Sequence, residues 1–144
     1  AGTQLGQSPL RSPSVFNFFR PGYVPPSTAL SAGAVAPEFQ LVTESSVGGY
    51  LNYMMGVISN GLSSGDINVP YTGELALVTD AAALVRRVKL LLCAGQLSSA
   101  NEALIVTALN ATPVTGASSA AVKRNRICAA VLMVMASAEY LIQK

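Results

Sequence analysis

From Thr43 onward, apolar residues recur at helical spacing, and four segments stand out. Val47, Tyr50, Leu51, Met54 and Ile58 share one face of a helix that Thr43 can cap, with Glu44 in its first turn and Gly61 as its stop. Leu84, Val85, Val88, Leu91 and Leu92 form a second stripe, expected to be buried, on a helix starting near Thr79 or Asp80 and ending at Gly95. The third segment opens on Ser99-x-x-Glu102, the spacing of a capping box, and carries Leu104, Ile105, Ala108 and Leu109 before Pro113 closes it. The fourth begins near Ser118 or Ser119 and carries Val122, Ile127, Val131, Leu132 and Met135. Its second half is apolar on nearly every side, as a central helix would be. Ser137 marks a break before a last turn over 139–143. Residues 62–77, with Ser63, Ser64, Gly65, Asp66, Pro70 and Gly73, read as a connector with room for a short turn or a local strand pair. The strand-like stretches are 67–69 and 75–78.

The first 41 residues follow another pattern. Six of the eight prolines lie there (Pro9, Pro13, Pro21, Pro25, Pro26 and Pro37), and so do all four phenylalanines, Phe16, Phe18, Phe19 and Phe39. Proline blocks long helices and ladders, so the stretch is expected to be irregular, with one short helical turn over 14–19. The aromatics argue against a loose tail. The pattern predicts an extended arm over 1–41 lying on a helical body over 42–144, with Phe16, Phe18, Phe19, Arg20, Tyr23, Glu38 and Phe39 as anchoring or interaction residues. The fold class is therefore all-α: a bundle of about four helices behind a proline- and aromatic-rich arm.

Composition changes the picture in one respect. Hydrophobic residues make up 51% of the chain and charged residues 11%, against roughly 25% charged in an average globular protein. So few charges cover a compact monomer poorly. Either part of the surface is buried against the rest of a longer polypeptide or a neighbouring subunit, or the surface is rich in Ser, Thr, Ala and Gly. The net charge of +2 is weak, and no nucleic-acid partner is expected. The basic groups Arg86, Arg87, Lys89 and Lys123, Arg124, Arg126 read as solvated helix faces or, alternatively, as phosphate contacts. The longest apolar run, 127–136, falls short of the about 20 residues that span a bilayer. The chain begins at Ala1 with no charged-then-apolar leader, the pattern of a mature or proteolysed fragment.

The chemistry is mostly one of exclusions. With no histidine, Ser-His-Asp and Cys-His nucleophile systems and the commonest metal ligand are missing. No Ser-x-x-Lys motif, glycine-rich phosphate loop or calcium loop is present. Cys93 and Cys128 lie on separate helices and read either as small buried hydrophobes or as a disulfide pair, if the helices pack side by side in an oxidising compartment. Glu44, Asp80 and Glu102 have capping roles, whereas Glu38, between Pro37 and Phe39, reads either as a ligand-binding carboxylate or as one side of an arm-pinning salt bridge to Arg11 or Arg20. No catalytic residue, metal or cofactor is expected.

Three blocks carry a family resemblance. Gly6-Gln7-Ser8-Pro9 with Pro13-Ser14-Val15-Phe16-Asn17-Phe18-Phe19-Arg20-Pro21-Gly22-Tyr23 and Pro25-Pro26 is the first. Val35-Ala36-Pro37-Glu38-Phe39-Gln40 is the second, and Met133-Val134-Met135-Ala136-Ser137-Ala138-Glu139-Tyr140-Leu141 the third. In this order they resemble the DUF1800 family, a bacterial group of unknown function. Ala138 departs from the proline expected there, which weakens a helix break at that point. The resemblance implies a C-terminal portion of a longer, exported protein, periplasmic, cell-surface or extracellular, with a DUF1501 family protein as a partner. It supplies no catalytic residues. Two functional readings follow. One is a non-catalytic structural or interaction module. The other is the scaffold of an enzyme whose active site lies mainly in an N-terminal portion outside this chain.

Overall fold

The computed structural model describes residues 5–26, 35–62 and 65–141. Ser63, Ser64 and Gln143 of the expected connector and last turn lie outside them, as do 1–4 and 27–34 of the arm. The described residues form six α-helices and a 3-10 helix, Pro37–Leu41, with no strand among them. The fold is all-α. The helices are α1 (Glu44–Asn60), α2 (Thr72–Leu75), α3 (Ala81–Cys93), α4 (Ser99–Asn110), α5 (Ala120–Met135) and α6 (Ala138–Leu141). Contacts divide the chain into two compact units, 1–53 and 54–144, with the division inside α1.

In the first unit, hydrogen bonds tie short turns together. The Asn17 amide donates to the Ser14 carbonyl at 3.1 Å, and Asn17 takes a left-handed conformation (φ 65°). The helical turn expected over 14–19 is thus a tight turn, because a residue at positive φ ends a right-handed helix where it would begin. The start of α1 is fastened reciprocally: the Ser46 amide donates to the Thr43 hydroxyl at 3.2 Å, and the Thr43 amide to the Ser46 hydroxyl at 2.8 Å. Thr43 caps the helix as its sequence position suggests, with Ser46 in the role a capping box gives to Glu or Gln.

The second unit holds the core. α5 packs against α2, α3, α4 and α6, and α3 against α4, α5 and α6. Leu84, Val85, Val88, Leu97, Ile127, Ala130 and Val134 are essentially removed from solvent. At about 25 cal/mol per Å² of apolar surface, each large side chain buried this way contributes roughly 1.5–3 kcal/mol. The near all-round apolar second half of α5 is explained by its central position. Leu91 continues the α3 stripe in spacing but is 59% exposed, because it lies in the last turn, where no described residue covers it.

Helix ends follow local chemistry. Asp80 caps α3, its carboxylate accepting from the Ala83 amide at 3.0 Å, and Ala94 and Gly95 end it at φ 47° and 80°. α4 is capped by Ser98, which accepts from the Asn101 amide. The cap thus lies one residue earlier than the Ser99 capping box predicts, and Glu102 is released to pair with Lys89 across α3 and α4 at 2.8 Å. Ser119 caps α5. The expected break at Ser137 is present despite Ala138: the Ser137 hydroxyl accepts from the Tyr140 amide and starts α6. The connector contains α2 and one isolated bridge, Leu62 to Ile67, and the strand-like 75–78 is the end of α2 and the turn after it.

Candidate functional site

The basic cluster on α5 faces inward. Arg126 is 6% exposed; its Nη1 donates to the Thr112 carbonyl and its Nη2 to Asn110 Oδ1, both at 3.1 Å. Those acceptors sit at the C-terminal end of α4, where the carbonyls of the last turn lack helical partners and the macrodipole is negative. Its Nε is buried without a partner. Arg124 does the same for α1: Nη2 donates to the Ser59 carbonyl at 3.0 Å and to Asn68 Oδ1 at 3.3 Å. Its guanidinium also lies over the Tyr71 ring, 5.2 Å from the centroid. Lys123 Nζ donates to the Gly116 carbonyl at 2.6 Å. Arg126 is buried and so not part of a solvated face, whereas Lys123 and Arg124 stay half-exposed; each of the three bonds a backbone carbonyl of its own chain.

The cluster on α3 is partly internal too. Arg87 Nε donates to Glu74 Oε1 at 2.6 Å, with Glu74 nearly buried on α2. Lys89 is held by Glu102, and among the described residues Arg86, exposed like Arg87, makes no such bond. Tyr71, which precedes α2, donates its hydroxyl to the Ile58 carbonyl at 3.1 Å. Burial pushes its phenol pKa up, the nearby Cys128 adds to this, and Arg124 acts against it.

The corner between α4 and α6 is the most polar meeting point of the unit. Glu139 Oε1 accepts from the Ser98 amide at 3.1 Å and from Asn101 Nδ2 at 2.9 Å, and Oε2 from Asn101 Nδ2 at 3.0 Å. Burial acts to raise the Glu139 pKa, but hydrogen bonds from its own amide, from Ser98 and from Asn101 outweigh it and hold the carboxyl below its ordinary value. Beside this corner lies an open groove of about 490 Å³, floored by Leu104, Ile105, Ala108 and Met133 and edged by Asn101 and Ser137. Cys93, at the end of α3, is buried and free, as is the half-buried Cys128. Burial, then the charge of Glu139, pushes the Cys93 thiol pKa up, away from the thiolate form that makes a cysteine reactive.

The seven arm residues fall in the first unit. Phe18, Phe19, Tyr23, Glu38 and Phe39 are half-buried, and Phe16 and Arg20 exposed. Two hydrogen bonds bring two of the sequence blocks together: the Arg20 amide donates to the side-chain Oε1 of Gln40 at 2.8 Å, and the Ala36 amide to the Tyr23 carbonyl at 2.9 Å. Among the described residues Glu38 makes no ion pair with Arg11 or Arg20; its Oε2 is buried without a hydrogen-bond partner. Sequence reasoning missed the Glu139–Asn101–Ser98 corner, whose members lie 38 and 41 residues apart and leave no local signal. Arg126 stands just before the apolar run 127–136, in a basic stretch, and its spacing does not mark it as buried either.

Taken together, the fold defines an all-α protein whose charged groups mostly bind its own backbone and one another. Among the described residues no group of three or more His, Cys, Asp or Glu is placed to hold a metal ion, and no helix is long and apolar enough to cross a membrane. The chain belongs to the family described as "Protein of unknown function (DUF1800)", whose sequence model matches residues 1–142. No curated protein and no solved structure matches the chain.

Proposed function

We propose that this chain is a non-catalytic interaction module of an exported bacterial protein, with part of its surface covered by the remainder of its own polypeptide or by a neighbouring subunit. One observation carries the reading. In the second unit, several charged side chains bond to helix ends and to one another, while three leucines face outward: Leu90 is 66%, Leu91 59% and Leu104 67% exposed. Single exposed leucines are ordinary on a protein surface. A surface that exposes leucines on two neighbouring helices while its few charges are used internally is suited to being covered. In the first unit Phe16, 59% exposed, offers an aromatic contact of the kind that anchors interfaces.

The family resemblance adds an exported location and a DUF1501 family protein as the partner to try first. The test is titration of the chain with such a protein, and with the remainder of its own polypeptide, comparing wild type with Leu90→Gln/Leu91→Gln/Leu104→Gln. The reading expects binding to at least one, weakened at least tenfold by the triple variant while helicity is kept. Binding to neither, or binding that the variant leaves unchanged, counts against it.

A further inference from the structure

We propose that α6 is a detachable latch: Glu139 fastens it across the N-terminus of α4, and its release uncovers Cys93 and opens the groove between α4 and α5. A helix of four residues has no stability of its own, since nucleation outweighs so few backbone bonds. None of its residues is fully buried; Tyr140 packs on the core only in part. α6 is therefore held by what it touches. At its start, Ser137 bonds both ways, its hydroxyl donating to the Val134 carbonyl at 2.7 Å and accepting from the Tyr140 amide at 3.3 Å. Those bonds lie within the joint itself, between the end of α5 and the start of α6. Beyond the joint, the polar attachment of α6 to another helix among the described residues is one carboxylate on the Ser98 amide and the Asn101 side chain.

That carboxylate is well suited to fasten something reversibly. It sits where α4 presents unpaired amides and the positive end of its dipole, so it holds firmly while charged and bonded. α3, α4 and α5 are fastened differently, over 12 to 16 residues each and by buried apolar side chains. Local opening of the least buried element, at a fraction of the global unfolding free energy, is the behaviour such a division favours. The two consequences are geometric. α6 packs on α3, whose last residue is Cys93, and Tyr140 packs against the same core cluster that holds Cys93. Ala136, Ser137 and Ala138 form one wall of the groove, opposite α4, so movement of the joint widens it.

Cys93 serves as the reporter. In a Cys128→Ser background it is the sole thiol, and its modification by N-ethylmaleimide can be followed by mass spectrometry in the full chain. Asn101→Ala removes the main donor to Glu139 but keeps the acidic charge beside Cys93. Glu139→Gln removes the charge. Both are expected to speed modification about tenfold, the size of one charge-assisted hydrogen bond, with little urea dependence below the unfolding transition. An unchanged rate in both variants overturns the latch. So does acceleration by Glu139→Gln alone, which would reflect the lost charge acting on the thiol. Acceleration that rises with urea as steeply as global unfolding overturns it too, and that reading holds even for a variant of lowered stability.

Discussion

Arg126 concentrates what individual side chains do in this protein. A guanidinium 6% exposed with no carboxylate partner would ordinarily be too costly to keep. Here the negative end of α4 stands in for the counter-charge, through the Thr112 carbonyl and Asn110. Arg126→Ala removes both bonds and leaves a cavity and unpaired acceptors, so it is expected to destabilise by about 2–4 kcal/mol, read as a lowered urea midpoint. Tyr71→Phe tests a smaller version of the same device. It deletes the hydroxyl that reaches the Ile58 carbonyl, and a loss of about 1 kcal/mol is expected, again from the denaturation midpoint. Neither residue announces its role in the sequence. Arg126 and Arg124 sit in a basic run that spacing alone assigns to solvent. What turns them inward is the arrival of helix ends that are 14 and 65 residues away.

The elements were legible in proportion to how much of them faces the core. α1, α3, α4 and α5 appear in the apolar spacing because periodicity records a buried face. α2 does not, since one turn holds too few positions to show a period, and it is set by Tyr71 taking a left-handed conformation before it. The cap of α4 was misplaced by one residue because Ser98 and Ser99 are chemically equal; only the geometry, with the Asn101 amide three residues on, selects Ser98. Gly61, by contrast, was legible as the stop of α1. It lies at φ 78°, and a Cβ there would press on the Ile67 carbonyl, which is backbone and cannot swing away. Gly61→Ala is expected to cost about 2–4 kcal/mol, from the left-handed conformation and the displaced bridge together, measurable as a fall in Tm. For α6 the prediction concerns pH. The Glu139 pKa is lowered in the folded chain, so its contribution is fully present above the ordinary glutamate value. It is lost as pH falls through the lowered one. Amide exchange over 138–141 should therefore rise in acid before that of α3 and α5, and Glu139→Gln should abolish the difference.

At the scale of the whole molecule, the scarcity of charge noted in the sequence acquires a structural meaning. An 11% charged composition left open whether the surface was polar without charge or buried against something else. The structure adds that several of those charges are spent inside, and that Leu90, Leu91 and Leu104 are exposed on α3 and α4. The arm residues bear on the same question, with hydrogen bonds joining the Arg20–Tyr23 and Ala36–Gln40 stretches and Phe16 left outward. The central claim is that this surface is built to be covered, and sedimentation velocity of the isolated chain across a range of concentrations tests it most directly. The account predicts association that grows with concentration and is reduced by Leu90→Gln/Leu91→Gln/Leu104→Gln. A single monomeric species at every concentration, together with no binding of an apolar dye, would contradict it.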